Sequence, residues 1–123
     1  MALFEPVPHD RVYLTSYMAD VSTASSAFVT SPVRGYVKRI RGELYAAITG
    51  TNSVVTAEIN GTAITGVSIT ITQSGSAAGD SFSDEPTSLS TSFVNPGDSL
   101  EIVSDGASST TAPMMWVWEI DPI

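Results

Sequence analysis

From residue 54 to residue 72 apolar and polar positions alternate with a period of two. Val55, Ala57 and Ile59 are separated by Thr56 and Glu58, and Ile64, Val67, Ile69 and Ile71 are interleaved with Thr65, Ser68, Thr70 and Thr72. A period of two sends successive side chains to opposite faces of a pleated strand, one face to a core and the other to water. Asn60-Gly61 stands between the two runs, and this dipeptide tolerates the positive φ angles of a two-residue hairpin turn. The pattern predicts a β-hairpin with arms over 54–59 and 63–72. No stretch carries the three-to-four spacing of a long amphipathic helix.

Further strand candidates cover 12–18, 27–30, 89–94, 100–104 and 114–120. A longer amphipathic stretch runs over 36–48, with Tyr36, Ile40, Leu44, Ala46 and Ile48 on one face. If Gly42 divides it, the total is about eight strands. Turn signals separate them: a small and acidic loop between Thr72 and Thr87, Asn95-Pro96-Gly97-Asp98 with Pro presetting φ, and a polar loop opened by Asp105-Gly106. Short strands with this punctuation predict an all-β fold, a single β-sandwich or jelly roll over residues 12–123. Residues 1–11 read as an extended arm, because Pro6 and Pro8 fix φ and remove two backbone donors.

Composition sharpens this picture. Ser and Thr supply 32 of the 123 residues, so the water-facing sides of the sheets are made of short neutral hydroxyls. An apolar content of 42% is enough for a core without staples. The net charge of −8 argues against nucleic acid, whose binding needs a positive field. Zero cysteine removes disulfides, thiol catalysis and thiolate metal sites together. No run of about twenty apolar residues predicts a membrane span. The opening MALFEPVPHDRV lacks the basic and apolar regions of a signal peptide, which leads to the expectation of a soluble product made in the cytoplasm.

The catalytic vocabulary is poor. His9 is the one histidine and sits in the Pro-rich arm, where a general base has no rigid support. The expectation is a protein that is not an enzyme and has no cofactor. Asp80, Asp84 and Glu85 cluster in one loop, but their order is not that of an EF-hand, and acidic residues are common in turns. Asn60-Gly61-Thr62 matches a glycosylation sequon, although its role in a hairpin turn explains it without one.

Three features point to contacts with partners. Arg34, Lys38, Arg39 and Arg41 place four of the five basic residues within eight positions. In a strand, Arg39 and Arg41 share a face and Lys38 points the other way. This stripe is a solvated face paired with Glu43 and Glu58, or a contact with an acidic partner or another copy. Leu3, Phe4 and Val7 give the arm apolar side chains that fold back on the sandwich or dock on a neighbour. Met114, Trp116, Trp118 and Ile120 share one face of the last strand, where the tryptophans cap the core or form an interface or sugar-stacking platform.

The INGTAITG hairpin, the VNPGDSLEIVSDG segment and the closing MMWVWEI strand resemble, over residues 33–120, small virion proteins of tailed bacteriophages. The texture is most similar to the jelly-roll decoration (cement) proteins that stud capsids, often as trimers. The resemblance implies a virion protein on the capsid surface, made in the host cytoplasm, with the major capsid protein as partner and no contact with nucleic acid or membrane. The alternative is a tail-fibre or virion-surface module that touches host glycans.

Overall fold

The computed structural model describes residues 11–123. Leu3, Phe4, Val7 and His9 lie outside the described residues. In chain order the elements are β1 (Val12–Met18), β2 (Ser25–Thr30), β3 (Gly35–Leu44), β4 (Ser53–Ile59), β5 (Thr62–Ile71), β6 (Ser81–Asp84), the helical turn α1 (Leu89–Ser92), β7 (Phe93–Val94), β8 (Ser99–Ser104) and β9 (Met114–Pro122). They form two antiparallel sheets. One has the order β1-β9-β3-β6, with β7 pairing part of β3; the other has the order β2-β8-β4-β5. The chain is a β-sandwich.

The alternating residues read from the sequence fill the space between the sheets. Val55, Ala57 and Ile59 of β4, Ile64, Val67, Ile69 and Ile71 of β5, and Met114, Trp116, Trp118 and Ile120 of β9 are all buried. Asn60 and Gly61 close the hairpin with φ values of 50° and 82°. Gly66, at φ +93°, lies within a shift of the β4–β5 register, which is why Ile64 and Val67 both face inward three residues apart.

Several expectations are corrected by long-range pairing. Gly42 does not divide the long stretch; β3 is one strand of ten residues. Its pairing with β9 shifts by one residue between Val37 and Arg39, which makes Lys38 the extra residue of a bulge. The bulge turns Val37, rather than Tyr36, inward beside Ile40 and Leu44, and leaves Lys38 exposed instead of on the Ile40 face. Residues 81–84, expected as loop, form β6 because Ile40 to Glu43 of β3 offer them a free edge. Residues 89–94, expected as strand, begin with a helical turn. There the Ser92 hydroxyl bonds the Ser88 and Leu89 carbonyls, a local alternative that serine offers the backbone.

The segment from β6 to α1 also closes the side of the sandwich along β5. The Ser68 N–H donates to Asp84 Oδ2 at 3.0 Å and the Thr65 N–H to Thr91 Oγ1 at 3.0 Å, while the Thr65 carbonyl accepts the Thr87 N–H at 2.9 Å.

A buried hydroxyl cluster joins the turn after β1 to β4 and the loop before β9. Ser53 Oγ lies 3.1 Å from the Val21 carbonyl and 2.6 Å from Ser108 Oγ, and accepts the Ser108 N–H at 3.2 Å. Ser53→Ala strips three buried groups of this partner, so we expect a loss of about 2 kcal/mol, read from urea unfolding. Ser26→Ala, whose hydroxyl bonds Glu101 at the surface, should change stability by less than about 0.5 kcal/mol in the same assay.

Candidate functional site

The outer face of the β1-β9-β3-β6 sheet gathers the chemically varied side chains. Pairing sets them in three cross-strand rows: Tyr17, Met115, Glu43 and Ser81; Thr15, Val117, Arg41 and Ser83; and Tyr13, Glu119 and Arg39. Rows two residues apart along a strand lie ~7 Å from each other, and neighbours within a row ~5 Å apart. The face is therefore a small lattice of aromatic, apolar, hydroxyl and charged groups on a rigid support.

Glu119 is its electrostatic centre. The residue is only 4% exposed, yet both carboxylate oxygens are bound: Arg41 Nε donates to one and Arg11 Nη1 to the other at 3.1 Å. Arg11 also forks onto Asp121, Nε to Oδ1 at 2.7 Å and Nη2 to Oδ2 at 3.2 Å. Arg39 reaches outward to Glu85 at 3.4 Å. Burial pushes the Glu119 carboxyl pKa up, but hydrogen bonding and charge from Arg41, with Arg11 and Arg39 behind it, outweigh this and hold it below the ordinary value.

Beside this network a groove of about 300 Å³ opens between the first two rows. Met115, Val117 and Phe82 provide its apolar lining, Arg41, Glu43, Ser81 and Ser83 its polar groups, and Tyr45 an aromatic wall that is 44% exposed.

The residues expected from sequence are divided by the fold. Arg39 and Arg41 share the outer face, and their partners are Glu85 and Glu119 rather than Glu43 and Glu58. Lys38 stands apart at the bulge, near Glu85 and Leu89, and Arg34 precedes β3; both are exposed. Trp116 and Trp118 are fully buried, which removes the sugar-stacking platform and places both in the core. The acidic residues serve turns: Asp80 accepts the Ala77 N–H, Asp98 the Asn95 N–H, and Asp105 those of Val54 and Ala107. Among the described residues no group of three or more His, Asp or Glu is arranged to hold a metal ion. No helix of the described residues is long and apolar enough to cross a membrane.

Sequence reasoning passed over Tyr13, Tyr17, Tyr45 and Glu119. Tyr13 and Tyr17 are 61% and 54% exposed and fall in the outward phase of β1, where the alternation with Leu14 and Met18 was the available signal. Glu119 falls in the outward phase of β9, but its burial depends on arginines from two other parts of the chain.

No family model matches the chain, and no curated protein sequence does. Solved structures share its fold. A family 43 glycoside hydrolase, an arabinoxylan arabinofuranohydrolase from Bacillus subtilis in complex with cellotetraose, is similar with a TM-score of 0.53 at 10% identity, over 98% of this chain and 23% of that one. A chain of the cyanophage Pam1 capsid asymmetric unit is similar with a TM-score of 0.53 at 13% identity, over 100% of this chain and 93% of that one. The catalytic domain of a family 87 α-1,3-glucanase in complex with tetrasaccharides gives 0.51 at 10% identity, over 88% of this chain and 22% of that one. These likenesses are of fold, and this chain spans less than a quarter of either hydrolase chain. They correct the expectation that the protein is not an enzyme: the same sandwich is found within glycoside hydrolase chains, so scarcity of histidine and cysteine excludes no activity.

Proposed function

We propose that this chain is a structural subunit of a phage virion, seated on the head as a decoration (cement) protein with the major capsid protein as its partner. The observation that carries this reading is the extent of the likeness to the cyanophage Pam1 capsid chain, which spans nearly the whole of both chains. A subunit of this size in a capsid is thus similar to the present chain from end to end, whereas in the hydrolases the sandwich is a minor part. The physical account agrees with this. Many weak contacts on one shell gain strength together. Arg34 and Lys38 make no ion pair among the described residues, which leaves two cations for an acidic neighbour. Leu3, Phe4 and Val7 offer apolar anchors on a Pro-restricted arm, and the assembled unit is a homotrimer.

Electron cryo-microscopy of virions that carry the chain tests this reading. Three-fold density on the head surface is expected, together with a trimer of the 12.9 kDa protomer in sedimentation equilibrium. Deleting residues 1–10, or reversing charge with Arg34→Glu and Lys38→Glu together, should lower head occupancy at least about tenfold, a loss of ~1.4 kcal/mol per site. The melting temperature should meanwhile hold within a few degrees. Density confined to the tail, or a monomer that never enriches on heads, would overturn the proposal.

A further inference from the structure

We infer that the groove beside Tyr45 is a binding site for a neutral pyranose oligosaccharide. The inference rests on the sheet face alone and is independent of where in a virion the chain sits.

Charge selects the ligand class first. Arg41 is committed through Nε to Glu119, so the one cation in the groove is already balanced. Glu43 adds a carboxylate with no hydrogen bond or ion pair among the described residues, in a chain of net charge −8. A polyanion would meet repulsion here. Size comes next: about 300 Å³ lies at the small end of ligand sites, ~300–1,000 Å³, and suits a few sugar rings. A protein partner would need ~800 Å² of its own surface with an apolar centre, and the apolar lining here is limited to Met115, Val117 and Phe82.

The remaining groups suit sugar chemistry. A pyranose presents an apolar C–H face and a rim of hydroxyls that each donate and accept. Tyr45 offers a ring face ending in a hydroxyl, and Tyr17 extends the aromatic border one strand beyond Met115. Glu43 can only accept, the outer nitrogens of Arg41 can only donate, and Ser81 and Ser83 do both. The two serine hydroxyls make no other hydrogen bond among the described residues and are exposed on β6. Donors and acceptors thus flank a small apolar floor on paired strands, so little ordering is needed on binding.

The test is a titration of the ¹⁵N-labelled full chain with cellotetraose, maltotetraose and mannotetraose, with a heparin tetrasaccharide as the anionic comparison. We expect at least one neutral tetraose to shift amides of residues 41–45, 81–83 and 115–117 at sub-millimolar to millimolar concentration. Tyr45→Ala and Glu43→Gln should each weaken that binding by at least about tenfold, ~1.4 kcal/mol, with the melting temperature unchanged. Lys38→Ala, outside the groove, should leave it intact. Absence of shifts in these segments with all three neutral sugars, shifts confined to other surfaces, or stronger binding of heparin would each overturn the site. Head occupancy of the unsubstituted chain separates the two proposals. Normal occupancy in a chain that binds none of the three neutral sugars rejects the groove alone, and sugar binding in the groove by a chain absent from heads rejects the decoration role alone.

Discussion

Gly42→Ala is expected to lower stability by about 3 kcal/mol, at the top of the range for overpacking, and the melting temperature by about 10 °C. Gly42, Trp116 and Ser16 are cross-strand neighbours on the inner face of the sheet, so the indole is flanked by two of the smallest side chains on its strand neighbours. A Cβ on Gly42 would lie 2.4 Å from Cζ3 of that ring and 2.7 Å from Cε3 and Cη2. The ring is fully buried and has no open side to which it can swing. Its indole nitrogen has no hydrogen-bond partner among the described residues, so packing is what holds it. Trp116→Phe in the Gly42→Ala background should recover part of the loss, because the smaller ring makes room. A double-mutant cycle in guanidinium unfolding measures this coupling, with more than about 1 kcal/mol expected. A neutral Gly42→Ala would show that the ring and its neighbours shift freely, contrary to the close packing described.

Glu119→Gln should lower the melting temperature at pH 7 by about 5 °C and flatten its dependence on acid. The sign follows from the carboxyl, whose folded pKa lies below the ordinary value of 4.5. Its contribution is fully present above that value and is lost as pH falls through the depressed folded value. The wild-type and Glu119→Gln proteins should therefore differ most near neutrality and converge in acid, in melting curves taken from pH 7 downward. A residual slope will remain in both. The Asp20 carboxyl is pushed up by burial, but hydrogen bonds from Thr23, Ala112 and Ser22 more than offset this and hold it low. The flanking guanidinium groups are partly exposed, 31% for Arg11 and 51% for Arg41, which keeps the effect moderate. Unchanged acid sensitivity in Glu119→Gln would contradict the assigned role.

Local pattern made much of the fold legible. The β4–β5 hairpin was readable because alternation and Asn-Gly turn chemistry agree over one short stretch, and β9 because its apolar phase is uninterrupted. What stayed hidden depends on strands distant in sequence. Lys38 reads as one more alternating residue until β9 is laid beside β3 and requires a bulge. Ser81 to Asp84 lack the apolar alternation of the other strands and become a strand only through pairing with β3. The site was hidden for the same reason. Arg39 and Arg41 were visible as a cluster, but their neutralising partners lie on β9 and just beyond β6. The groove was legible nowhere in the chain, since its lining comes from three separate segments.

The cover along β5 has a consequence for the protein at high concentration. This ten-residue strand is an edge of its sheet, and an unguarded edge templates growth by strand addition from chain to chain. With the amides of Thr65 and Ser68 already bonded to Thr91 and Asp84, an incoming strand would first have to peel the 84–91 segment away. Strand addition at this edge is thereby disfavoured, and crowded copies that meet along the β5 side do so through side chains, in contacts that are reversible.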